Sequence, residues 1–347
     1  MDFQLSCPIP IKEYPVITMA HGSGGTLSHQ LIEQMFQPAF DNPLLNAGHD
    51  GAVIQGAGDR LAFTTDSFVV QPIFFPGGNI GDLAVNGTIN DLACCGATSG
   101  YLSVGMILEE GLPMEDLWTV VVSMKKAAER AGIKIVTGDT KVVDRGSGDK
   151  IFINTSGVGR VREGIDIDPR NCRPGDVIIL SGTIGDHGVA IMSARAGIEF
   201  ETTIESDTAA LNGLVETMLD ASQHISVLRD PTRGGVATTL NEISRSANVG
   251  MVLNEKMIPV SPAVRGACEV LGLDPMYIAN EGKILVILPE GEAAAVLGRM
   301  REHPLGKDAR MIGKVSGEHP SVVRMITSIG SSRVVDMLTG EPLPRIC

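Results

Sequence analysis

The chain has 347 residues, too many for a single compact core and suited to about two domains. With 43 % hydrophobic and 20 % charged residues it has an ordinary globular composition, and a net charge of −13 with no basic block argues against nucleic-acid or anionic-membrane partners. The opening MDFQLSCPIPIKEYP lacks the apolar region of a signal peptide, and no apolar run approaches the ~18 residues of a membrane span, so a cytoplasmic location is expected.

Residues 1–40 are a lead segment in which the glycine-rich turn HGSGG (His21–Gly25) precedes a helix-like LSHQLIEQMF. Residues 52–75 alternate as strands. In GDLAVNGTINDLACCGA, Val85, Ile89 and Leu92 share one helical face, while Asp82, Asn86 and Asn90 recur every four residues as a polar stripe that leaves out Asp91. LSVGMIL reads as a strand. PMEDLWTVVVSMKKAAERAG reads as a helix opened by Pro113, striped by Leu117, Val121, Met124, Ala128 and Ala131, and closed by Gly132. IKIVTGD is then a strand running into a loop that carries Asp139 and Lys141, and IFINTSGVGRV is another strand.

The Pro-Gly turn of NCRPGDVIILSG launches a fresh strand and places a second domain from about Arg173. That part is expected to hold helices at 186–197, near 208–221, after Gly234-Gly235 and near 290–303, a buried strand KILVILP, and a hairpin in VVRMITSIGSSRVVDMLTG. Strands and helices mix without strict βαβ alternation, which favours α+β over a doubly wound sheet.

Asp50 in GHDGAV, Asp66 in TTDSF, Asp91 in INDLA, Asp139 in TGDTK and Asp230 in RDPTRGG are each ordinary turn formers taken singly. As a set of carboxylates at the mouths of several elements they suit a Mg²⁺–nucleotide site, because Mg²⁺ takes oxygen ligands and bridges carboxylates to phosphates. HGSGG and TRGGVA match neither a Walker nor a Rossmann motif, yet both let backbone N–H groups approach an anion. Lys141 beside Asp139 reads as a solvated pair, Glu281 in NEGKILV as a residue at a strand mouth, and His187 in GDHGVA as a capping, core or catalytic histidine.

None of the cysteines forms a CxxC pair, and Cys94 and Cys95 read as small buried hydrophobes. Cys347 reads differently. It closes the sequence in GEPLPRIC, where Pro342 and Pro344 block a helix and favour an extended stalk. Residues 339–347 reach roughly 30 Å at ~3.3 Å per residue. A carboxylate beside the thiol is expected to raise its pKa, with Arg345 partly offsetting the rise.

Together, GDLAVNGTINDLACCGA, VTGDTKVV, SGTIGDHGVAIM, RDPTRGGVATTLNEI, NEGKILV and the final PRIC resemble, over essentially the whole chain, the HypE family of hydrogenase maturation factors. These are carbamoyl dehydratases of the aminoimidazole ribonucleotide synthetase-like superfamily. The resemblance implies two α/β domains, an N-terminal sheet pairing across a homodimer and an α+β layered C-terminal domain. Residues 1–40 are then the glycine-rich segment, 41–170 the ATP-binding and dimerisation domain, 171–330 the C-terminal domain and 331–347 a flexible tail. It implies ATP with Mg²⁺ between the domains, held by Asp50, Asp66, Asp91 and Asp230 as metal ligands. Asp82, Asn86, Asp139, Arg233 and the glycines Gly22, Gly24 and Gly25 would be nucleotide contacts.

By the same resemblance Cys347 is the covalent carrier, Lys141 steadies the γ-phosphate and Glu281 is the base. The implied partners are the carbamoyltransferase HypF, which loads Cys347, and the HypC–HypD scaffold, whose iron receives the cyanide. Two other readings stand beside this one. A selenophosphate synthetase-like enzyme would need a reactive Cys and a Lys in the glycine-rich loop, and HGSGG has neither. A non-catalytic thiol carrier would not need the aspartates.

Overall fold

The computed structural model describes residues 25–31, 33–34, 46, 49–55, 58–197, 203–338 and 345–347; Gly22, Gly24, Pro342 and Pro344 lie outside them. In chain order, α1 (Thr26–Leu31) is followed by β1 (Ala52–Gln55), β2 (Arg60–Phe68), the short pair β3 (Phe74–Phe75) and β4 (Gly78–Asn79), α2 (Ile80–Cys94), β5 (Ala97–Glu109), α3 (Met114–Ala131), β6 (Lys134–Val143) and β7 (Ile151–Val161). Then come β8 (Asp176–Leu180), α4 (Asp186–Ala196), α5 (Asn212–Ala221), β9 (Val227–Arg229), α6 (Gly235–Ala247), β10 (Gly250–Asn254), α7 (Pro262–Leu271), β11 (Leu285–Pro289), α8 (Glu290–Glu302), β12 (Arg310–Ser316), β13 (Val323–Ile326) and β14 (Ser332–Val334).

The first sheet runs β1-β2-β7-β5-β6 and is antiparallel except for the parallel β5–β6 pair. α2 starts where Asn79 and Asp82 form a reciprocal capping box, and it is buried on almost every side between this sheet, α3 and α5. That explains its composition: its only charged residues are Asp82, which caps it, and Asp91, which enters the carboxylate cluster. α3 is amphipathic. It ends at Gly132, whose φ of 69° is the left-handed conformation a helix C-cap requires. Its buried stripe is Val120, Met124, Ala127, Ala128 and Ala131, so Leu117 and Val121 sit at the margin rather than the centre.

The predicted loop at Asp139 and Lys141 is a strand. β6 continues through both, with Asp139 opposite Gly105 and Lys141 opposite Ile107 on β5. The ladder that β5 offers overrides the local turn chemistry of Gly-Asp-Thr. β6 is an outer strand exposed along nearly its whole length, including Ile135, Val136 and Val142.

The second sheet runs β14-β13-β10-β12-β8-β11-β9 and is mixed, with β10 and β13 parallel. Helices cover both of its faces. Ile178 and Leu180 of β8 pack in one core with Val236, Leu240 and Ile243 of α6. Val177 and Ile179 pack in another with Leu214 and Met218 of α5 and Val296 and Met300 of α8. Alternate residues therefore serve opposite cores, and DVIIL and LVILP read as unbroken apolar runs. The predicted hairpin is present as β13–β14, and Val335 beyond it is fully buried. β10, α7 and β12 drew no sequence signal. Among the described residues no helix is long and apolar enough to cross a membrane.

A further core joins the two layers. Val189 and Ile191 of α4 and Val264 and Cys268 of α7 pack with Phe68, Ile80, Leu83 and Ile153 of the first layer, and Ile346 is buried among them.

Candidate active site

The carboxylates converge from separate elements. Asp50 precedes β1, Asp66 lies on β2, Asp91 on α2, and Asp230 follows β9. Each is raised above the usual carboxylate range. Burial, with the Asp50 charge next, pushes Asp230 up to about 8. Burial pushes Asp50 up to about 6 against the opposing pull of Arg229. Asp91 is raised well above its ordinary value by burial and then by Asp230, Asp50 and Asp66, while the Thr64 hydroxyl 2.8 Å from its Oδ2 works the other way. Burial raises Asp66 too, offset by Arg233.

Carboxylates crowded like this repel one another unless a cation joins them. Asp50 Oδ2 is buried with no hydrogen-bond partner, an open oxygen ligand. Oxygen donors in excess of positive charge fit a hard divalent cation such as Mg²⁺. The Cys94 sulfur lies against the group, ligand atoms of Asp50, Cys94 and Asp230 falling within 4.8 Å of one another, but burial and the neighbouring carboxylates hold the thiol protonated, and the oxygens suit Mg²⁺ better. Cys94 is fully buried in an apolar core, as its sequence setting suggests. It sits three residues after Asp91 on the same helix face.

An ion-pair chain leads from this cluster to α1. Arg229 lies 2.6 Å from Asp50 and 2.8 Å from Glu242, and His29 lies 3.0 Å from Glu242. Gly25 is buried at the head of α1, and Thr26 N–H donates to the Leu338 carbonyl at 3.0 Å. The end of the glycine-rich segment, the base of the tail and the carboxylates are therefore tied together.

The last three residues, 345–347, are docked. Val69 N–H donates to the Cys347 carbonyl at 2.9 Å and Gln71 N–H to the Arg345 carbonyl at 3.2 Å, an antiparallel track just beyond β2. Arg345 is committed elsewhere, in an ion pair with Asp149 at 2.5 Å. The expected offset by Arg345 is therefore corrected: burial pushes the Cys347 thiol up to about 12, and the cation that opposes the rise is Arg233. Glu281, Asp66 and Asp230 act on the same thiol in the raising direction. Cys347 is half-buried and reaches the carboxylate cluster's electrostatic field.

Glu281 is buried in the bend before β11, and its Oε1 has no hydrogen-bond partner. Burial, then Asp230, Asp207 and Asp66, raise its carboxyl well above the ordinary range. Its backbone is fixed on both sides: its N–H donates to Asp207 Oδ1 at 3.0 Å, and Asn90 Nδ2 donates to its carbonyl at 3.2 Å.

The remaining predicted residues lie farther out. Asp82 caps α2 and faces Arg130 at 3.5 Å. Asn86 donates to Thr208 at 3.2 Å, so the polar stripe of α2 holds the 208–211 segment. Lys141 is exposed and paired with Asp139 at 2.6 Å. Both line a cleft of about 280 Å³ with Ser67, Val69, Ile107 and Asn154, and Val69 is the residue bonded to Cys347.

Comparison with known proteins fits this arrangement. Residues 48–161 match the N-terminal domain and residues 173–326 the C-terminal domain of AIR synthase related proteins. Carbamoyl dehydratase HypE of Cupriavidus necator is 56 % identical over 332 residues, 95 % of each chain. The chain belongs to the HypE family of carbamoyl dehydratases. A solved hydrogenase maturation protein HypE in complex with ATP is 49 % identical with a TM-score of 0.81, covering 96 % of this chain and all of its own. A solved HypE–HypF complex is 49 % identical with a TM-score of 0.85, covering 89 % of this chain and 99 % of that one.

Sequence reasoning missed Arg229, Glu242 and Asp207. Arg229 carried the best signal, since it adjoins Asp230 in RDPTRGG. Glu242 lies within RDPTRGGVATTLNEI but had no marked role there, and Asp207 lies outside every motif; both are found only through what they touch.

Proposed function

We propose that this chain dehydrates a carbamoyl group borne on Cys347, at the expense of ATP, to give the cyanide ligand of [NiFe]-hydrogenase iron. The observation that carries the reading is the docked thiol, which shares one electrostatic neighbourhood with Arg233, Glu281, Asp66 and Asp230.

The substrate is a thiocarbamate, S–C(=O)–NH₂, whose oxygen is a poor leaving group. In the proposed reaction that oxygen attacks the γ-phosphorus of ATP and ADP departs. The nitrogen then gives up its two protons while the carbon–oxygen bond breaks, leaving S–C≡N and inorganic phosphate. The Arg233 charge acts on the Cys347 thiol and would attract the charge that develops on the phosphorylated oxygen. Glu281 is the proposed base, held rigidly by Asp207 and Asn90. Asp50, Asp66, Asp91 and Asp230 would hold Mg²⁺, which supplies neutralisation of phosphate charge. Gly22, Gly24, Gly25, Asp82, Asn86 and Asp139 are proposed on the nucleotide side, and Lys141 at the γ-phosphate.

In this reading residues 41–170 form the nucleotide and dimer domain and 171–330 its C-terminal companion; of the 331–347 tail, Ser332–Val334 form β14 and Val335 and Leu338 are buried, so the part that would carry Cys347 between sites is the shorter stretch beyond Leu338. HypF loads the sulfur, the HypC–HypD scaffold takes the cyanide, and the exposed β6 is the homodimer face of a cytoplasmic protein.

The test is the intact mass of the C-terminal peptide after incubation with carbamoyl phosphate and HypF, with and without Mg–ATP. A carbamoyl adduct on Cys347 that loses one water only with ATP is expected. An adduct that never loses water leaves a thiol carrier, and no adduct on Cys347 refutes the reading. Glu281→Gln is expected to bind ATP and carry the adduct but not to dehydrate it.

A further inference from the structure

The docked tail is gripped at successive carbonyls, and one of them faces away from the 69–71 track. The carbonyls of Arg345 and Cys347 accept from Gln71 and Val69 N–H groups, and Arg195 adds a donor to the Arg345 carbonyl at 2.7 Å. The Ile346 carbonyl instead meets His187 Nε2 at 2.6 Å. His187 sits in the first turn of α4, fully buried, with the Phe75 ring edge-on at 5.7 Å.

A carbonyl can only accept, so Nε2 carries the ring proton and Nδ1 is bare. Nδ1 lies 2.7 Å from Ser206 Oγ, whose hydroxyl donates to it, and Ser206 Oγ in turn accepts from Thr208 N–H at 3.2 Å. The tautomer is fixed at both ends. The segment beyond Ser206 is the one that seats Glu281. Asp207 accepts from Glu281 N–H and pairs with Lys283 at 2.9 Å, while Asn86 and Asn90 of α2 bind Thr208 and the Ala209 carbonyl.

We propose that His187 is a positioning residue for the dehydration: a latch, locked in one tautomer, that holds Cys347 docked and couples its arrival to the Ser206–Ala209 segment holding Glu281. The inference rests on the reading of Cys347 as the carrier.

The latch acts on one state only. A released tail has its Ile346 carbonyl hydrated, whereas a docked tail without the His187 donor buries that carbonyl unanswered. Removing the donor therefore penalises docking and leaves release untouched. Dehydration needs the docked tail, and loading by HypF needs a tail that a separate protein can reach, so the two rates are expected to move apart. A general loss of folding would lower both.

The experiment compares wild type, His187→Phe, His187→Gln and Ser206→Ala in the full chain. Three rates are read by mass of the C-terminal peptide: alkylation of Cys347 by iodoacetamide, carbamoylation of Cys347 by HypF, and single-turnover dehydration with Mg–ATP. His187→Phe is expected to alkylate about tenfold faster and dehydrate about tenfold more slowly, with carbamoylation not slowed, the effect of leaving one buried acceptor unanswered. His187→Gln keeps an Nε2 donor and is expected to recover most of the loss. Ser206→Ala, a milder change, is expected to shift the same rates in the same directions by less. Unchanged alkylation in both His187→Phe and Ser206→Ala overturns the latch, as does a parallel fall in all three rates. Failure of wild type to dehydrate its adduct would refute the dehydratase reading instead, and the alkylation comparison would still decide the latch.

Discussion

Arg229 Nε lies 2.6 Å from Asp50 Oδ1, and the same guanidinium reaches Glu242 at 2.8 Å, all three side chains being largely buried. One cation thus separates two carboxylates, one of them in the proposed metal cluster. Arg229→Met removes it, leaving Asp50 buried without its cation and Glu242 with His29 alone. Breaking a buried pair from one side costs about 3–5 kcal/mol, and a loss of that order is expected in urea unfolding without divalent cations. Millimolar Mg²⁺ is expected to restore part of it, because a cation beside Asp50 takes over the neutralisation. A variant that Mg²⁺ does not stabilise would count against Asp50 as a ligand.

Gly282 follows the proposed base, and a Cβ there would lie 1.8 Å from the Asp207 carbonyl oxygen. The obstacle is backbone, so no rotamer change relieves it. Gly282→Ala must push the Glu281 bend away from Asp207, and Asp207 is what holds the Glu281 N–H. The thermal midpoint is expected to fall by several degrees and dehydration by at least about tenfold, as expected for a misplaced catalytic group. Gly291→Ala on α8, where a Cβ meets nothing within 4 Å, is the control and is expected to leave activity unchanged.

What was legible in the sequence, and what was not, follows from the range of the forces involved. Capping and periodicity are local, so α2, α3 and the β13–β14 hairpin could be read directly. β6 could not be followed through Asp139, because its continuation depends on pairing with β5, distant in sequence. The four-residue stripe of Asp82, Asn86 and Asn90 was visible, but its partner was not: the 208–211 backbone it binds has no motif. The aspartates were visible as strand-end residues, yet only the fold brings Asp50, Asp91 and Asp230 into mutual repulsion, and it sets the Cys94 thiol against them. The tail's chemistry was legible in PRIC, while its docking onto Val69, Gln71 and His187 was not.

The crowded carboxylates also set a pH dependence with a definite sign. Asp50 and Asp230 are raised to about 6 and about 8, with burial the first cause of each. Carboxyls that hold their protons more tightly folded than unfolded stabilise the fold fully below the unfolded value, and that contribution is lost as pH rises through the folded values. Without divalent cations the thermal midpoint is therefore expected to fall between about pH 5 and about pH 9. His29, raised by its bond to Glu242, contributes in the same direction, and His29→Gln removes its share. Mg²⁺ is expected to flatten the profile, because it binds the ionised form. A metal-free midpoint that does not change over this range would mean the carboxylates are not crowded in solution.

β6 leaves a further consequence at the molecular surface. Val136 is 57 % and Val142 68 % exposed on the outermost strand of the first sheet, and an edge that no other described strand pairs, with such apolar residues on it, invites pairing with another strand. A second copy of the chain placed there would also cover Lys141 and Asp139, which face solvent in the single chain. In the proposed dimer, Val136→Asp puts a charge on that edge, so the wild type is expected to sediment as a dimer and the variant as a monomer, with the thermal midpoint of the remaining fold little changed. Dehydration is expected to fall alongside dimerisation, since Lys141 would lose its cover. If wild type and Val136→Asp sediment alike, β6 is not a dimer face. If the variant becomes a monomer with full activity, Lys141 works without a partner strand.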